Sequence, residues 1–274
     1  MSEKIRHYWN KLADENTEYN HYNRNGSSRF EDTESVVKNP EKAFPAAVYP
    51  LIKKYLGNFK GKKILVPSSG DNKAVFGFHL LGAEVVSCDI SENQLRNAKI
   101  IADIYGWDIK FLQQDSMTLE SVESGVFDLV YTSNGVHVWI DDLCGMYRNF
   151  NRVLKNGGYN MFFETHPMLR PFEDNDISKI KIMKPYEMIK KIANDGVERY
   201  EWRIQDFVNA IISSEFTIKE MLEFTTVDGD LDDYLPMETN KNHANYGLDM
   251  KNWEINPWAA LPQCFGLFSK KIGN

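Results

Sequence analysis

The chain has 274 residues, with 32 Lys and Arg against 39 Asp and Glu, for a formal net charge of −7. At about 150 residues per domain this accommodates one large α/β domain or two small ones, and 42% hydrophobic with 13% aromatic residues exclude wholesale disorder. An acidic chain is a poor partner for nucleic acid or an anionic membrane, because phosphate affinity comes largely from Lys and Arg releasing counterions. Cys88, Cys144 and Cys264 are widely spaced, with no CxxC pair, so neither a disulfide framework nor a thiolate metal site is signalled. The charged start, MSEKIRHYWNKLADEN, lacks a signal-peptide apolar run, and no stretch approaches the ~20 apolar residues of a membrane span. The expected compartment is the cytosol.

Residues 1–60 read as a helical preface. Tyr8, Trp9 and Leu12 give a short apolar face, residues 23–39 read as a polar loop, and Pro45 and Pro50 suit the first turns of short helices. From Lys62 the texture becomes strand, loop and helix in repetition. Ile64-Leu65-Val66 is an apolar run ended by the turn-rich hexad Pro67-Ser68-Ser69-Gly70-Asp71-Asn72. Residues 74–81 suggest a helix and residues 84–88 a second β-branched strand ending at Asp89. Ser91 and Gln94 form a capping box for a helix that buries Leu95, Ala98, Ala102 and Tyr105 and stops at Gly106.

A third strand, residues 109–112, leads to Asp115, and a fourth, residues 127–132, leads to Ser133-Asn134-Gly135. Asp141 is expected to start a helix ending in Lys155-Asn156-Gly157-Gly158, before a fifth strand over residues 159–164. This alternation predicts right-handed crossovers and a parallel sheet covered on both faces. Residues 204–213 then read as a helix, 216–224 and 264–269 as strands. The long insertions 168–203 and 226–262 are expected to form a cap over a site.

Ligands of open parallel sheets sit beyond the carboxyl ends of the strands, near the switch in strand order. The residues there are Ser68 to Asn72, Asp89, Asp115, Asn134 to His137, and His166. The hexad is either a tight turn or a cradle whose small residues let backbone approach a ligand. Asp89 lies 19 residues after Gly70, where an acid commonly takes a ribose hydroxyl pair; an acid at a strand end is also a frequent helix cap. Asp115 after the third strand is ambiguous in the same way, and the hexad, Asp89 and Asp115 in order favour the ligand reading.

Residues 62–165 resemble the cofactor half of a class I S-adenosylmethionine-dependent methyltransferase. The glycine-rich first motif matches ILVPSSGDN, the ribose acid Asp89 in SCDIS, the adenine-side acid Asp115 in QQDSM, the fourth-strand motif FDLVYTSNGVHV, and the signature before strand five RVLKNGGYNMFF. The resemblance implies a doubly wound, Rossmann-like, seven-stranded α/β sheet, mostly parallel with its last strand antiparallel, carrying a helical preface at 1–60 on a domain spanning 61–274. It implies S-adenosylmethionine held by Pro67, Ser68, Ser69, Gly70, Asp71, Asn72, Asp89, Ile90, Gln94, Asp115, Ser116, Met117, Asn134 and Gly135. Three departures stand out: Val66 replaces the usual acid ending the first strand, and Ser68 and Asn72 stand where glycines are usual.

Methyl transfer from a sulfonium requires the nucleophile about 3 Å from the methyl carbon, on axis, with water excluded. A general base is needed only when the acceptor begins protonated. His166 and His137 are the candidates for that base or for orienting the acceptor, and capping or wall packing is the alternative for each. Asp128 opens strand four at the far end from the rim and reads as structural. The acidic run Asp228, Asp230, Asp232 and Asp233 lacks the EF-hand order of ligands and reads as solvated, so no metal is expected. Trp202, Trp253 and Trp258 with Tyr200, Tyr234 and Tyr246 read as packing under the cap, or as walls of a pocket for a small acceptor, a cationic one included.

The fourth-strand end reads Ser133-Asn134-Gly135-Val136 and not the N/D-P-P-Y-like motif of base-modifying amine methyltransferases. The expected acceptor is therefore a small molecule. Two alternatives are kept: a binding or regulatory module without turnover, suggested by Val66, Ser68 and Asn72, and, less favoured, an NAD-dependent oxidoreductase, whose G-x-G-x-x-G fingerprint fits poorly because Ser68, Gly70 and Lys73 stand in its three glycine places. Oligomeric state leaves no signal.

Overall fold

The computed structural model describes residues 2–15, 29–70, 73–172, 180–192, 196–225 and 251–273. Helix α1 (Ser2–Glu15), α2 (Arg29–Lys38), a 3-10 turn (Pro40–Ala43) and α3 (Val48–Leu56) form the preface. There follow β1 (Lys63–Val66), α4 (Lys73–Leu80), β2 (Glu84–Asp89), α5 (Glu92–Tyr105), β3 (Lys110–Gln113), β4 (Phe127–Thr132), α6 (Leu143–Val153) and β5 (Leu154–Thr165). A small hairpin of β6 (Lys190–Ile192) and β7 (Glu198–Tyr200) precedes α7 (Ile204–Ser213), β8 (Phe216–Phe224) and β9 (Cys264–Lys271).

Seven strands form one sheet in the order β3-β2-β1-β4-β5-β9-β8. The pairings β1–β2, β2–β3, β1–β4 and β4–β5 are parallel, whereas β9 runs antiparallel to both β5 and β8. The chain winds outward from β1 to β3 and then crosses back to β4, so the switch in strand order falls between β1 and β4.

Side chains alternate across the sheet, and the core divides accordingly. Ile64 and Val66 join Ile52, Phe78, Tyr131 and Phe268 under α3, α4 and α5. Leu65, between them, joins Val130, Phe150, Phe162, Phe207 and Ile211 under α6 and α7. On the first face α4 carries Gly77 because a Cβ there would lie 2.4 Å from the Ala43 Cβ. Among the described residues, no helix is long and apolar enough to cross a membrane.

Several boundaries differ from expectation. Part of the stretch read as a polar loop is helix α2, whose Val36 joins the core beside Ala43. The cap of α6 is Asp142, accepting the Gly145 N–H at 2.9 Å, rather than Asp141. The helix ends at Val153, and residues 155–158 already belong to β5 because Leu154 pairs with Phe127. The acidic run at 228–233, Tyr234 and Tyr246 lie outside the described residues.

Candidate active site

The carboxyl ends of β1, β2 and β3 carry one connected polar network. Asp89 is only 7% exposed. One of its oxygens accepts the Gly70 N–H at 2.8 Å and the other the Ser91 N–H at 2.8 Å. A carboxylate has about four lone-pair sites, which hydroxyl donors can use as well as N–H groups. Burial pushes the Asp89 carboxyl above its ordinary value, and the N–H groups of Ser91, Gly70 and Ile90 counter only part of that.

The turn after β1 uses left-handed backbone at Ser68 (φ 48°) and Gly70 (φ 52°). Serine stands where glycine is usual in the resembled motif, and its hydroxyl bonds the Ser116 hydroxyl at 2.7 Å, tying this turn to the one after β3. Ser69 is anchored downward, by Ser87 Oγ at 2.7 Å and the Cys88 carbonyl. A Cβ on Gly70 would reach within 3.7 Å of Gln94 Oε1, so backbone and Gln94 face each other closely there. Asp115 accepts the Met117 N–H at 2.9 Å and shapes the turn leading from β3. Pro67 is buried, and the Ile90 carbonyl accepts from Gln113 Nε2 at 3.2 Å. Asp71 and Asn72 lie outside the described residues.

Across the switch point, a second network is organised by Glu164 at the end of β5. Its carboxylate, 2% exposed, accepts the Gly135 N–H at 3.1 Å and the Thr165 N–H at 2.9 Å. It also meets the backbone N–H of His137 at 3.4 Å and its ring Nδ1 at 3.1 Å. Burial alone would raise this carboxyl. The hydrogen bond and field of His137, with Arg170 and the Gly135 N–H, bring it below the ordinary value instead. Asn134 clasps the same corner, its Oδ1 accepting the Thr165 N–H at 3.1 Å and hydroxyl at 2.8 Å.

The candidates for a base or an acceptor-orienting group, His137 and His166, each meet side-chain partners within the protein. Only Glu164, an acceptor, faces His137 Nδ1, which therefore carries the proton; Nε2 lies 2.9 Å from the Tyr147 hydroxyl. The ring is packed against Phe162 and Phe207 inside the core. His166 accepts the Met168 N–H on Nδ1 at 3.2 Å and donates from Nε2 to Glu223 at 2.9 Å, capping the turn Pro167–Leu169. Burial lowers its pKa against the pull of Glu223. Both imidazoles are committed to structural partners. Asp128, at the opposite end, accepts the Lys63 N–H and pairs with Lys155.

Helix α1 spans the two networks, a role that no motif disclosed. Arg6 forms a fork with Glu92 at 2.9 and 2.7 Å, and holds the Glu92 carboxyl down to about 2. Asn10 accepts the Ser91 hydroxyl at 2.6 Å, and Asp14 accepts from Arg96 at 2.9 Å. On the other side, Tyr8 and Trp9 pack on Trp139, just past the β4 turn, with ring centroids 5.2 and 5.4 Å apart. The Arg199 guanidinium lies over Trp139 and Tyr8, at 5.1 and 5.8 Å. Those ring faces are thus filled by the chain's own cation. Of the late aromatics, Tyr200 stacks on Trp202, Trp258 is buried against Phe172, and Trp253 is exposed.

An order in which an antiparallel strand sits between the fifth and the edge strand, with a buried acid at the end of the second, defines the class I methyltransferase fold and departs from the six-stranded dinucleotide-binding order. Residues 67–162 match the family described as "Methyltransferase domain". Over those residues the chain matches a methyltransferase domain, and its fold is the one shared with solved S-adenosylmethionine-dependent methyltransferases. None of the curated proteins matches it in sequence.

Similar solved structures agree in fold. An S-adenosylmethionine-dependent methyltransferase from Mesorhizobium loti superposes with a TM-score of 0.60 at 21% identity, over 82% of this chain and 98% of that one. Geranyl diphosphate C-methyltransferase from Streptomyces coelicolor, solved with Mg2+, geranyl diphosphate and S-adenosyl-L-homocysteine, gives 0.61 at 14%, over 99% and 98%. A [4+2]-cyclase gives 0.55 at 13%, over 90% and 95%, so the shared fold leaves the reaction to be argued from the site.

Proposed function

We propose that the protein transfers the methyl group of S-adenosylmethionine to a small-molecule acceptor by in-line displacement. The observation that carries this reading is the buried Asp89 carboxylate at the end of β2, oriented by Gly70 and Ser91 beside the Ser68–Gly70 turn. A carboxylate acceptor in this place fits a ribose hydroxyl pair, whose O–H groups donate. Ser68 to Gly70 bring backbone close beside it, and Asp115, Ser116 and Met117 line the adenine side by resemblance. When bound, S-adenosylmethionine supplies an electrophilic methyl group on a cationic sulfonium.

The rest of the task falls to the chain's own residues. Asp89 and the Ser68–Gly70 backbone bind; Asn134 and Gly135, held by Thr165 and Glu164, form the opposite wall. Helix α1, tied to α5 on one side and to Trp139 on the other, excludes water and narrows entry. A crevice strapped in this way suits a small acceptor better than a polymer, and the net charge of −7 supports the same choice. The geranyl diphosphate enzyme is a neighbour in fold whose printed acceptor is small. With His137 and His166 both engaged, the reading favours an acceptor that arrives with its nucleophilic lone pair or π electrons available.

Isothermal titration with S-adenosylmethionine and S-adenosylhomocysteine tests the reading. Wild-type protein is expected to bind both and Asp89→Ala to bind each more weakly; no heat from either compound with the wild type sinks it. A panel of small acceptors assayed for release of the demethylated product then identifies the substrate class.

A further inference from the structure

We propose that Glu164 is a positioning residue for methyl transfer, one that shapes the turn after β4 and makes the crevice favour a cationic sulfonium donor over its neutral thioether product. The inference rests on the methyltransferase reading and deepens it.

Glu164 is the one acid set within the apolar run that ends β5, and it is as buried as the phenylalanines before it. A carboxylate in that position is costly unless it is fully hydrogen-bonded. Here two backbone N–H groups, from Gly135 and His137, and the His137 ring converge on it from a single turn. The conformation of residues 133–137, including left-handed Gly135 at φ 91°, is thus set by one charged group belonging to the neighbouring strand. A turn held this way is rigid on the wall of the crevice directly across the switch point from the Ser68–Gly70 turn.

The charge itself is incompletely neutralised. The groups around Glu164 are His137 from the β4 turn, Tyr147 from α6, Cys264 from β9 and Arg170 beyond β5. Tyr147 and Cys264 are held protonated: burial, aided by Glu164, raises both. Arg170 stands off at 3.8 Å, longer than a direct charge-assisted hydrogen bond. In a low-dielectric wall the remaining negative field reaches across several ångströms. It acts on a donor that carries a positive charge and on a product that does not.

The test compares dissociation constants of S-adenosylmethionine and S-adenosylhomocysteine for the full chain by isothermal titration. Glu164→Gln is expected to lower the preference for the sulfonium about fivefold, by weakening the donor while the product holds. Arg170→Gln, which removes a neutralising charge from a half-exposed position, is expected to raise that preference about twofold. Should Glu164→Gln not fold, Arg170→Gln decides alone. An unmoved ratio, including parallel weakening of both ligands, overturns the proposal and leaves Glu164 a structural group. Failure of the wild type to bind either compound overturns the methyltransferase reading beneath it.

Discussion

The two walls of the crevice are built on opposite electrostatic plans. On the β1–β2–β3 side, Asp89 is buried with its pKa raised, because its backbone N–H partners offset only part of the cost of burial. On the β4–β5 side, Glu164 is buried and saturated, its pKa lowered by the partners it gathers. The first carboxylate costs the fold something and is available to a ligand; the second stabilises the fold and is available to none directly. A perturbed acid that is under-satisfied marks binding, whereas one that is fully satisfied marks the scaffold that holds a site in shape.

Mutation and acid can break this contrast. The largest expected effect is on stability: Glu164→Ala leaves two N–H groups and the His137 ring without their acceptor and should cost about 3–5 kcal/mol, read by chemical denaturation. Asp89→Ala should leave the denaturation midpoint nearly unchanged while weakening S-adenosylmethionine by about 2 kcal/mol, read by titration. Equal stability losses in the two variants would erase the distinction.

Acidification should separate the walls in the same order. Asp89, raised above its ordinary 3.8, takes up a proton more readily folded than unfolded, so its titration weakens ligand binding without destabilising the fold. Glu164, lowered from 4.5, contributes stability that is complete above that value and lost as pH falls through the folded one. Affinity is therefore expected to fail at a higher pH than folding, as titrations and thermal melts between pH 7 and pH 3 would show. The smallest effect is reserved for the strap. Arg6→Ala removes a solvent-exposed fork to Glu92 and should leave stability unmoved, while stopped-flow measurement shows faster release of bound S-adenosylhomocysteine.

Much of the first wall was legible in the chain. Asp89 and the hexad before it announce themselves because strand ends and tight turns depend on local chemistry: a β-branched run, then residues that tolerate left-handed backbone. The second wall was legible only as a list. His137 and His166 stood out as titratable groups near a rim, and no local signal says that one ring turns into the core toward Tyr147 and the other toward Glu223. Glu164 went unremarked although an acid within NMFFE is anomalous on its face. Helix α2 escaped for a related reason: among its described side chains Thr33 and Val36 are buried, and helices this short depend on tertiary packing, here against the 3-10 turn and α4.

Length and charge at the outset allowed one domain or two and disfavoured polyanions. The order of strands and helices, the acid at the end of the second strand and the absence of a base-methylation motif were determined by sequence alone, since each depends on neighbours within a few residues. Tertiary structure decided how each buried carboxylate is partnered, which groups meet the two histidines, and that the first helix reaches both α5 and Trp139. Those outcomes depend in large part on partners far apart in the chain, up to 191 residues for Tyr8 and Arg199, and only packing determines whether a polar group meets a partner or a ligand.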